Sequence, residues 1–289
     1  MKVLVTGKSG QLGRSIKKII SRTKQNNKFT FVDRVELDLS CEDSINNYFK
    51  THNFNVIVNC AAYTSVDKAE IETKLADQIN HQAVKLLAEI SNKRKIILIH
   101  ISTDFVFDGE SNNIYKEVDP TNPINVYGRT KLSGELTIKS LMPTNAIIIR
   151  TSWLHSEFGD NFVGSILRNA RKKNEIDVIN DQFGSPTYAE DLAKAILVII
   201  ESLTSKESLI KTQIYHFSND GQCSFYDFAN EIIKLAKIKC HINPITTKQY
   251  ASLAKRPKNT TMSKEKITKE FGLHIRHWKT SLINCIDNL

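Results

Sequence analysis

A tyrosine and a lysine lie four residues apart in the run Tyr127-Gly128-Arg129-Thr130-Lys131. On a helix that spacing puts both side chains on one face. A phenol titrates at about pH 10, too high to exchange protons readily at neutral pH. A fixed ammonium one turn away favours phenolate and lowers that pKa. The pair is therefore expected to act as a proton donor, Tyr127, tuned by Lys131. Thr103, in the run Ser102-Thr103-Asp104-Phe105-Val106-Phe107-Asp108-Gly109, could hydrogen-bond the same reacting oxygen. The spacing alone carries little weight. The chain has 8 tyrosines, and lysine is about a tenth of it, so roughly one chance match is expected. The pair gains weight from standing behind a glycine-rich loop and a Ser-Thr strand end.

That loop reads Thr6-Gly7-Lys8-Ser9-Gly10-Gln11-Leu12-Gly13, between a strand-like run and a helical one. Gly7 permits a tight turn, Gly10 lets the backbone approach a pyrophosphate, and Gly13 allows close helix–sheet packing. The helix N-terminus offers free N–H groups and positive dipole to the anion. A purely structural turn is the bland alternative. Asp33 and Arg34 stand at the end of the second expected strand. An acidic residue there binds adenosine ribose hydroxyls and favours NAD, whereas a neighbouring arginine accepts the 2′-phosphate of NADP. Both are present, so the loop predicts NADPH or NADH without choosing. Asp38-Leu39 could flank the adenine, or Asp38 could be a helix N-terminal carboxylate. In Asn59-Cys60-Ala61-Ala62-Tyr63, small residues would let a cofactor lie against the backbone; plain helix–sheet packing is the alternative.

These residues need a scaffold that brings strand ends together. Segments 2–6, 28–33, 56–60, 96–102 and 146–150 are short apolar runs that read as buried strands. Helical stretches at about 11–22, 41–51, 67–92 and 125–141 separate them. Strands alternating with helices predict an α/β fold with a doubly wound, Rossmann-like parallel sheet. Ligands on such sheets sit at the C-terminal strand ends. Residues 1–153 are expected to form the dinucleotide-binding domain. Residues 154–289 would form mainly a smaller C-terminal lobe for substrate, with about 176–203 returning to the first domain: a strand at 176–179 and an apolar helix at 188–203. Segment 214–217 reads as a strand and 225–236 as a helix, both placed in the smaller lobe.

Composition agrees with a globular chain. Of 289 residues, 40% are apolar and 25% charged, which excludes whole-chain disorder, collagen and coiled coil. The longest apolar runs, 96–99 and 195–200, fall far short of the roughly 20 residues of a membrane span. No secretory leader is expected, and five scattered cysteines without a CxxC pair suit reduced thiols in the cytoplasm. The net charge of +9 is concentrated late, with 14 basic against 8 acidic residues after position 200. This fits a polyanionic ligand or simply a lysine-rich proteome. The lysines are dispersed, with no basic stripe interleaved with aromatics, so no nucleic-acid partner is expected. The eight histidines show no metal-ligand spacing.

Taken together, Gly7/Gly10/Gly13, Thr103 and Tyr127-x-x-x-Lys131 resemble the extended short-chain dehydrogenase/reductase superfamily. Within it the chain is similar to the dTDP-4-dehydrorhamnose reductase family. The matching stretches are the glycine loop with Gln11-Leu12, 58–70 (VNCAAYTSVDKAE), 102–109 (STDFVFDG), 125–135 (NVYGRTKLSGE), 150–154 (RTSWL), 180–187 (NDQFGSPT) and Arg256-Pro257. They cover residue 1 to about 262. The resemblance implies that Tyr127 is the proton donor, that Lys131 holds the nicotinamide ribose, and that Thr103 binds the C4 carbonyl oxygen of a dTDP-sugar. It places Val66, Asp104, Trp153, Asn161, Gln182 and Arg256 on the substrate side. Arg256 would clamp the diphosphate, since a guanidinium can fork two oxygens, or it would be a solvated surface charge.

Departures from the family pattern are informative. Some members form dimers through magnesium held by glutamates. One of these lies in the first helix, where this chain has Arg14-Ser15, and only Glu190 matches another. The expectation is no metal, and a monomer or weak homodimer. Dehydratases and epimerases share the Thr/Tyr/Lys set, but dehydratases place a second carboxylate where Phe105 follows Asp104 here. A non-catalytic regulatory subunit resembles the same reductases, yet Thr103, Tyr127 and Lys131 are all intact.

Overall fold

The computed structural model describes residues 1–24, 26–204 and 210–289, with the side chain of Thr204 left aside. Six parallel strands form the main sheet: β1 (Lys2–Thr6), β2 (Lys28–Val32), β3 (Val56–Asn59), β4 (Ile97–Thr103), β5 (Ala146–Thr151) and β6 (Gln213–His216). Their spatial order is β2-β1-β3-β4-β5-β6. Side-chain alternation explains why each run reads as continuously apolar. Val3, Val5, Val58, Ile99, Ile147 and Ile149 face one layer, which contains α1 (Gln11–Arg22) and α5 (Ala189–Thr204). Leu4, Ile57, Leu98 and Ile148 face the other, which contains α2 (Glu42–Thr51), α3 (Ala83–Arg94) and α4 (Val126–Leu141). Strands covered on both faces have no polar side. The doubly wound parallel sheet predicted from the sequence is therefore present.

The expected helix at 67–92 is interrupted. Short helices Val66–Ala69 and Thr73–Asp77 lead into a π-helical turn, Gln78–Gln82, that runs on into α3. The turn carries buried Asn80, whose amide accepts from the Tyr63 N–H at 2.9 Å and donates to the Tyr63 carbonyl at 3.0 Å. π-Turns of this kind are frequent at functional sites. This one fixes the loop after β3.

Strands 176–179 and 214–217 exchange the places expected for them. Glu175–Ile179 does not return to the main sheet; it pairs in parallel with His241–Ile245 in the smaller lobe. Glu175 and Asp177 alternate with Ile176 and Val178, so only one face is apolar, and a doubly covered sheet has no place for the other. Gln213–His216 instead joins β5 as the sixth strand of the main sheet. The helix expected at 188–203 forms as α5 and packs on α1. The lobe has its own core, in which helices Phe162–Ala170, Phe225–Leu235 and Trp278–Asp287 pack around Phe228 and Trp278.

Candidate active site

A cleft of ≈ 1020 Å³ opens at the C-terminal ends of β1, β3, β4 and β5. This is where the strand order reverses around β1, the usual ligand position on such sheets. A second concavity of ≈ 1320 Å³ near Ile114, Lys116 and His274 is shallower and holds none of the residues singled out for chemistry.

The glycine loop forms one end of the cleft. Gly7 has φ +71°, and a Cβ on Gly13 would stand 2.3 Å from the Gly7 carbonyl oxygen. Glycine is therefore required at both the turn and the helix crossing. No side chain caps α1 at Gly10, and no acidic residue lies in its first turn. Its N–H groups and positive dipole remain available for an anion, which suits a pyrophosphate. Gln11, Leu12, Ala61 and Ala62 line the same end. Asp33 accepts from Ser9 Oγ at 2.9 Å and from the Val35 N–H at 3.0 Å. These bonds, led by the one from Val35, lower its pKa to about 2, so it stands at this end of the cleft as a carboxylate at neutral pH. Arg34 also lines the cleft, with its guanidinium Nε 3.1 Å from Asp38. Asp38 is held there as a carboxylate by Ser40 and Arg34 and does not cap α2, whose flanking residue is Cys41. Leu39 is buried beside it. Tyr63 stands apart. Its phenol donates to Glu72 at 2.8 Å, and the residue does not line the cleft.

Thr103, Tyr127 and Lys131 meet at the centre of the cleft. Thr103 ends β4 and caps the 3₁₀ turn Asp104–Val106, accepting from the Phe105 N–H at 3.1 Å. Asn125 caps α4, accepting from the Gly128 N–H at 2.7 Å, and so starts the helix that carries Tyr127 and Lys131. Tyr127 packs edge-on to Phe105, with centroids 5.8 Å apart. Burial pushes its phenol up to about 12, and the Thr103 hydroxyl opposes the rise. The expected lowering by Lys131 is absent. Lys131 is itself buried, and its ammonium points to the Ile101 carbonyl at 2.7 Å and to His100 Nε2 at 3.2 Å. Burial brings Lys131 down to about 8. Sharing a helix face does not set where a long side chain ends.

Asp104 is buried, accepting from Thr103 Oγ1 at 3.0 Å and Thr260 Oγ1 at 2.5 Å. Burial raises its carboxyl to about 6. Trp153 takes a positive φ of 47° and stacks on Phe225 with centroids 3.6 Å apart. A Cβ at Gly184 would come within 2.9 Å of the indole. Val66 and Asn161 line the cleft, although the Asn161 amide is occupied in capping helix Phe162–Ala170. Arg256 lines it too, as a part-buried side chain whose guanidinium forks Asp67 (2.5 and 3.2 Å). It is not the solvated surface charge of the alternative reading. Gln182 is buried, bonded to Thr247 at 3.0 Å, and does not line the cleft.

The geometry matches known proteins along the whole chain. The family described as "RmlD substrate binding domain" matches residues 1–289. A curated dTDP-4-dehydrorhamnose reductase from Aggregatibacter actinomycetemcomitans is 39% identical over 98% of this chain and 97% of its own. The chain belongs to the dTDP-4-dehydrorhamnose reductase family. Among solved structures, the Clostridium acetobutylicum dTDP-4-dehydrorhamnose reductase superposes with TM-score 0.91 at 37% identity, covering 99% of both chains. The Bacillus anthracis dTDP-4-dehydrorhamnose reductase, solved in complex with NADP, gives TM-score 0.90 at 32% identity, covering 100% of this chain and 99% of that one.

Against that family pattern, Glu190 is held by Lys194 at 2.7 Å and by Lys18 at 3.1 Å, and Lys18 also pairs with Glu157 at 2.5 Å. A lysine therefore balances the acidic pair. Among the described residues no cluster of three or more His, Cys, Asp or Glu could hold a metal ion. Phe225, Phe105 and Ser165 also line the cleft, and the sequence reading did not single them out for it. The only signal near Phe225 is the capping box Ser224-x-x-Asp227, which starts its helix but says nothing of a ligand.

Proposed function

We propose that the protein reduces the C4 ketone of dTDP-4-dehydro-6-deoxy-L-mannose to dTDP-L-rhamnose, using NADPH or NADH. The observation that carries this reading is the convergence of Thr103, Tyr127 and Lys131 in one cleft with an uncapped, glycine-lined helix N-terminus. Bound in that cleft, the reduced nicotinamide supplies a hydride to C4. The residues of the chain handle the oxygen. As C4 gains the hydride, the carbonyl oxygen becomes an alkoxide and takes the proton from Tyr127 Oη. Thr103 Oγ1 holds the same oxygen and limits its charge. Lys131 holds the nicotinamide ribose, the Thr103 hydroxyl favours the tyrosinate left behind, and solvent returns a proton to it.

On the cofactor side, the N–H groups of α1 beside Gly10, Gln11, Leu12 and Gly13 receive the pyrophosphate, and Ala61 and Ala62 leave room for the cofactor. Asp33 takes the ribose hydroxyls, and Arg34 with Asp38 and Leu39 borders the adenine. On the sugar side we assign Val66, Asp104, Trp153, Asn161 and Arg256, with Arg256 at the diphosphate. The protein works in the cytoplasm as a monomer or weak homodimer, without a nucleic-acid partner. No helix among the described residues is long and apolar enough to cross a membrane.

A coupled assay tests this. The protein receives dTDP-4-keto-L-rhamnose generated in situ with NADPH or NADH, and nicotinamide absorbance is followed. Oxidation by the wild type and its near loss in Tyr127→Phe support the reading. Cofactor binding without oxidation would turn attention to another nucleotide-sugar, and then to a binding-only role.

A further inference from the structure

His100 lies inside the main sheet, in a strand otherwise made of isoleucine, leucine, serine and threonine. It is fully buried. Its Nε2 stands 3.2 Å from Lys131 Nζ, and its Nδ1 stands 3.1 Å from the Asn59 side-chain amide. Asn59 in turn accepts from Thr6 Oγ1 at 2.7 Å, and Thr6 Oγ1 accepts from the Ala61 N–H at 3.2 Å. Thr6 and Ala61 both line the cofactor end of the cleft. A continuous buried polar chain therefore joins the glycine loop to Lys131 without using Tyr127.

Proton counting restricts what this chain can do. Burial and the Lys131 charge hold His100 far below its ordinary pKa, so the ring is neutral and carries a single N–H. While Lys131 is an ammonium it can only donate, so His100 Nε2 accepts. The ring proton is then on Nδ1, and Asn59 turns its oxygen towards it and its NH₂ towards Thr6 Oγ1, which accepts from it in place of donating. If Lys131 loses a proton, its nitrogen can accept. The ring proton then moves to Nε2, and Asn59 turns its NH₂ to Nδ1. The amide orientation and the histidine tautomer are assigned from the hydrogen-bond network, and each of the two consistent assignments goes with one charge on Lys131. Other groups near Lys131 do not replace this link. Glu135, one turn on, favours the ammonium but is already forked by Arg150, while Tyr127 and Asp104 face the cleft.

We propose that His100 is a positioning residue for the reduction: as a neutral imidazole clamped between Asn59 and Lys131, it aims the lysine and ties the lysine's charge to the loop that holds the cofactor. This rests on the proposed reductase reading, so its test includes a readout that needs no sugar substrate.

Two replacements separate the two ring nitrogens. His100→Gln can still offer an acceptor where Nε2 was, whereas His100→Asn can reach only Asn59. NADPH affinity is measured from pH 6 to 9 by protein fluorescence, alongside kcat and KM. We expect His100→Asn to lower kcat by about 10- to 100-fold, the usual cost of misplacing a catalytic group. Its NADPH affinity should also fall and lose the dependence on pH expected in the wild type near pH 8, where Lys131 titrates. His100→Gln should recover most of both, and KM for the sugar should stay unchanged in each. Wild-type enzyme labelled with ¹⁵N at histidine supplies a test without variants. The His100 ring should stay neutral from pH 6 to 9 and exchange tautomers as Lys131 titrates. Variants that lose only thermal stability while keeping wild-type pH profiles for both binding and kcat overturn the proposal. So does an imidazolium at pH 6 in the wild type. If the wild type does not turn over the sugar but the binding profiles behave as described, the substrate reading fails and the His100 link stands.

Discussion

Thr260 donates its hydroxyl to Asp104 at 2.5 Å, joining the smaller lobe to the end of β4 across 156 residues of sequence. Thr103 donates to the other oxygen of the same carboxylate. Asp104, and through it the Thr103 hydroxyl, is therefore oriented partly from the lobe. Burial raises Asp104 to about 6 despite these bonds. Its folded pKa lies above the unfolded value, so the native state binds more protons between about pH 4 and 6, and stability falls as pH rises through that window. The loss amounts to about 3 kcal/mol, complete above pH 6. Thermal melts from pH 4 to 7 should show Asp104→Asn gaining on the wild type as pH rises. Thr260→Val removes a bond that favours the charged form, so the decline should extend to higher pH. Parallel curves for wild type and Asp104→Asn would falsify the assignment.

His155 imposes the opposite slope. It is fully buried against Tyr188 and Phe228, and its Nε2 has no hydrogen-bond partner among the described residues. Burial lowers its pKa to about 4. Below the unfolded value of about 6.5 the unfolded chain takes up a proton that the native state refuses. Its share of stability is whole above pH 6.5 and falls by about 3 kcal/mol as pH drops to 4. His155→Phe keeps the ring stacking and should flatten the acid limb of a urea-denaturation series. An unchanged limb would mean that other buried histidines dominate.

Glu135 and Arg150 form a buried fork between α4 and β5, with Nη2–Oε2 at 2.7 Å. The guanidinium also lies 5.1 Å from the centre of the Phe107 ring. Removing one charge strands the other in a dry interior, at a cost of about 3–5 kcal/mol. Glu135→Gln should lower the melting temperature sharply. The double variant Glu135→Leu/Arg150→Met should recover much of the loss, because it leaves no unpaired charge. A double variant as unstable as the single one would show that the pair does more than satisfy itself.

How much of this was legible in the chain depended on distance along it. Strands such as Val56–Asn59 are visible because both faces are covered and Val56, Ile57 and Val58 run on as consecutive apolar residues. The glycine loop is visible because turn, spacing and helix all fall within the first 22 residues. Partner choice was not visible. Glu175–Ile179 and Gln213–His216 are both short; the charged alternation of Glu175 and Asp177 argues against a doubly covered sheet, but which strand each one pairs with emerges only in three dimensions. The Tyr127–Lys131 spacing was readable, but the depth that raises the phenol and turns the ammonium to Ile101 and His100 was not. His100 did leave a trace, as the one ionisable residue within the apolar run 96–101. A buried histidine with a satisfied ring is the commoner meaning of such a residue, and only the contact with Lys131 raises it above that.

Arg256 offers the sharpest test of the sugar side. It is separated from Asp67 by 189 residues, yet both of its terminal nitrogens reach that carboxylate, and the Ala254 N–H bonds Asp67 at 3.0 Å. Asp67 therefore fixes the plane of the guanidinium at the rim of the cleft. A planar fork can bind two oxygens of a diphosphate at once, whereas an ammonium acts as a point charge. The contact should be equal in ground and transition states, since the diphosphate is remote from C4. Loss of such uniform binding raises KM and leaves kcat alone. Arg256→Lys should raise KM for the sugar nucleotide by about tenfold, the equivalent of one charge-assisted hydrogen bond, with kcat within about twofold. Asp67→Asn should raise it less, because the guanidinium remains but is less firmly aimed. Steady-state kinetics at fixed ionic strength measures both. A fall in kcat at constant KM would place Arg256 at the reacting centre instead.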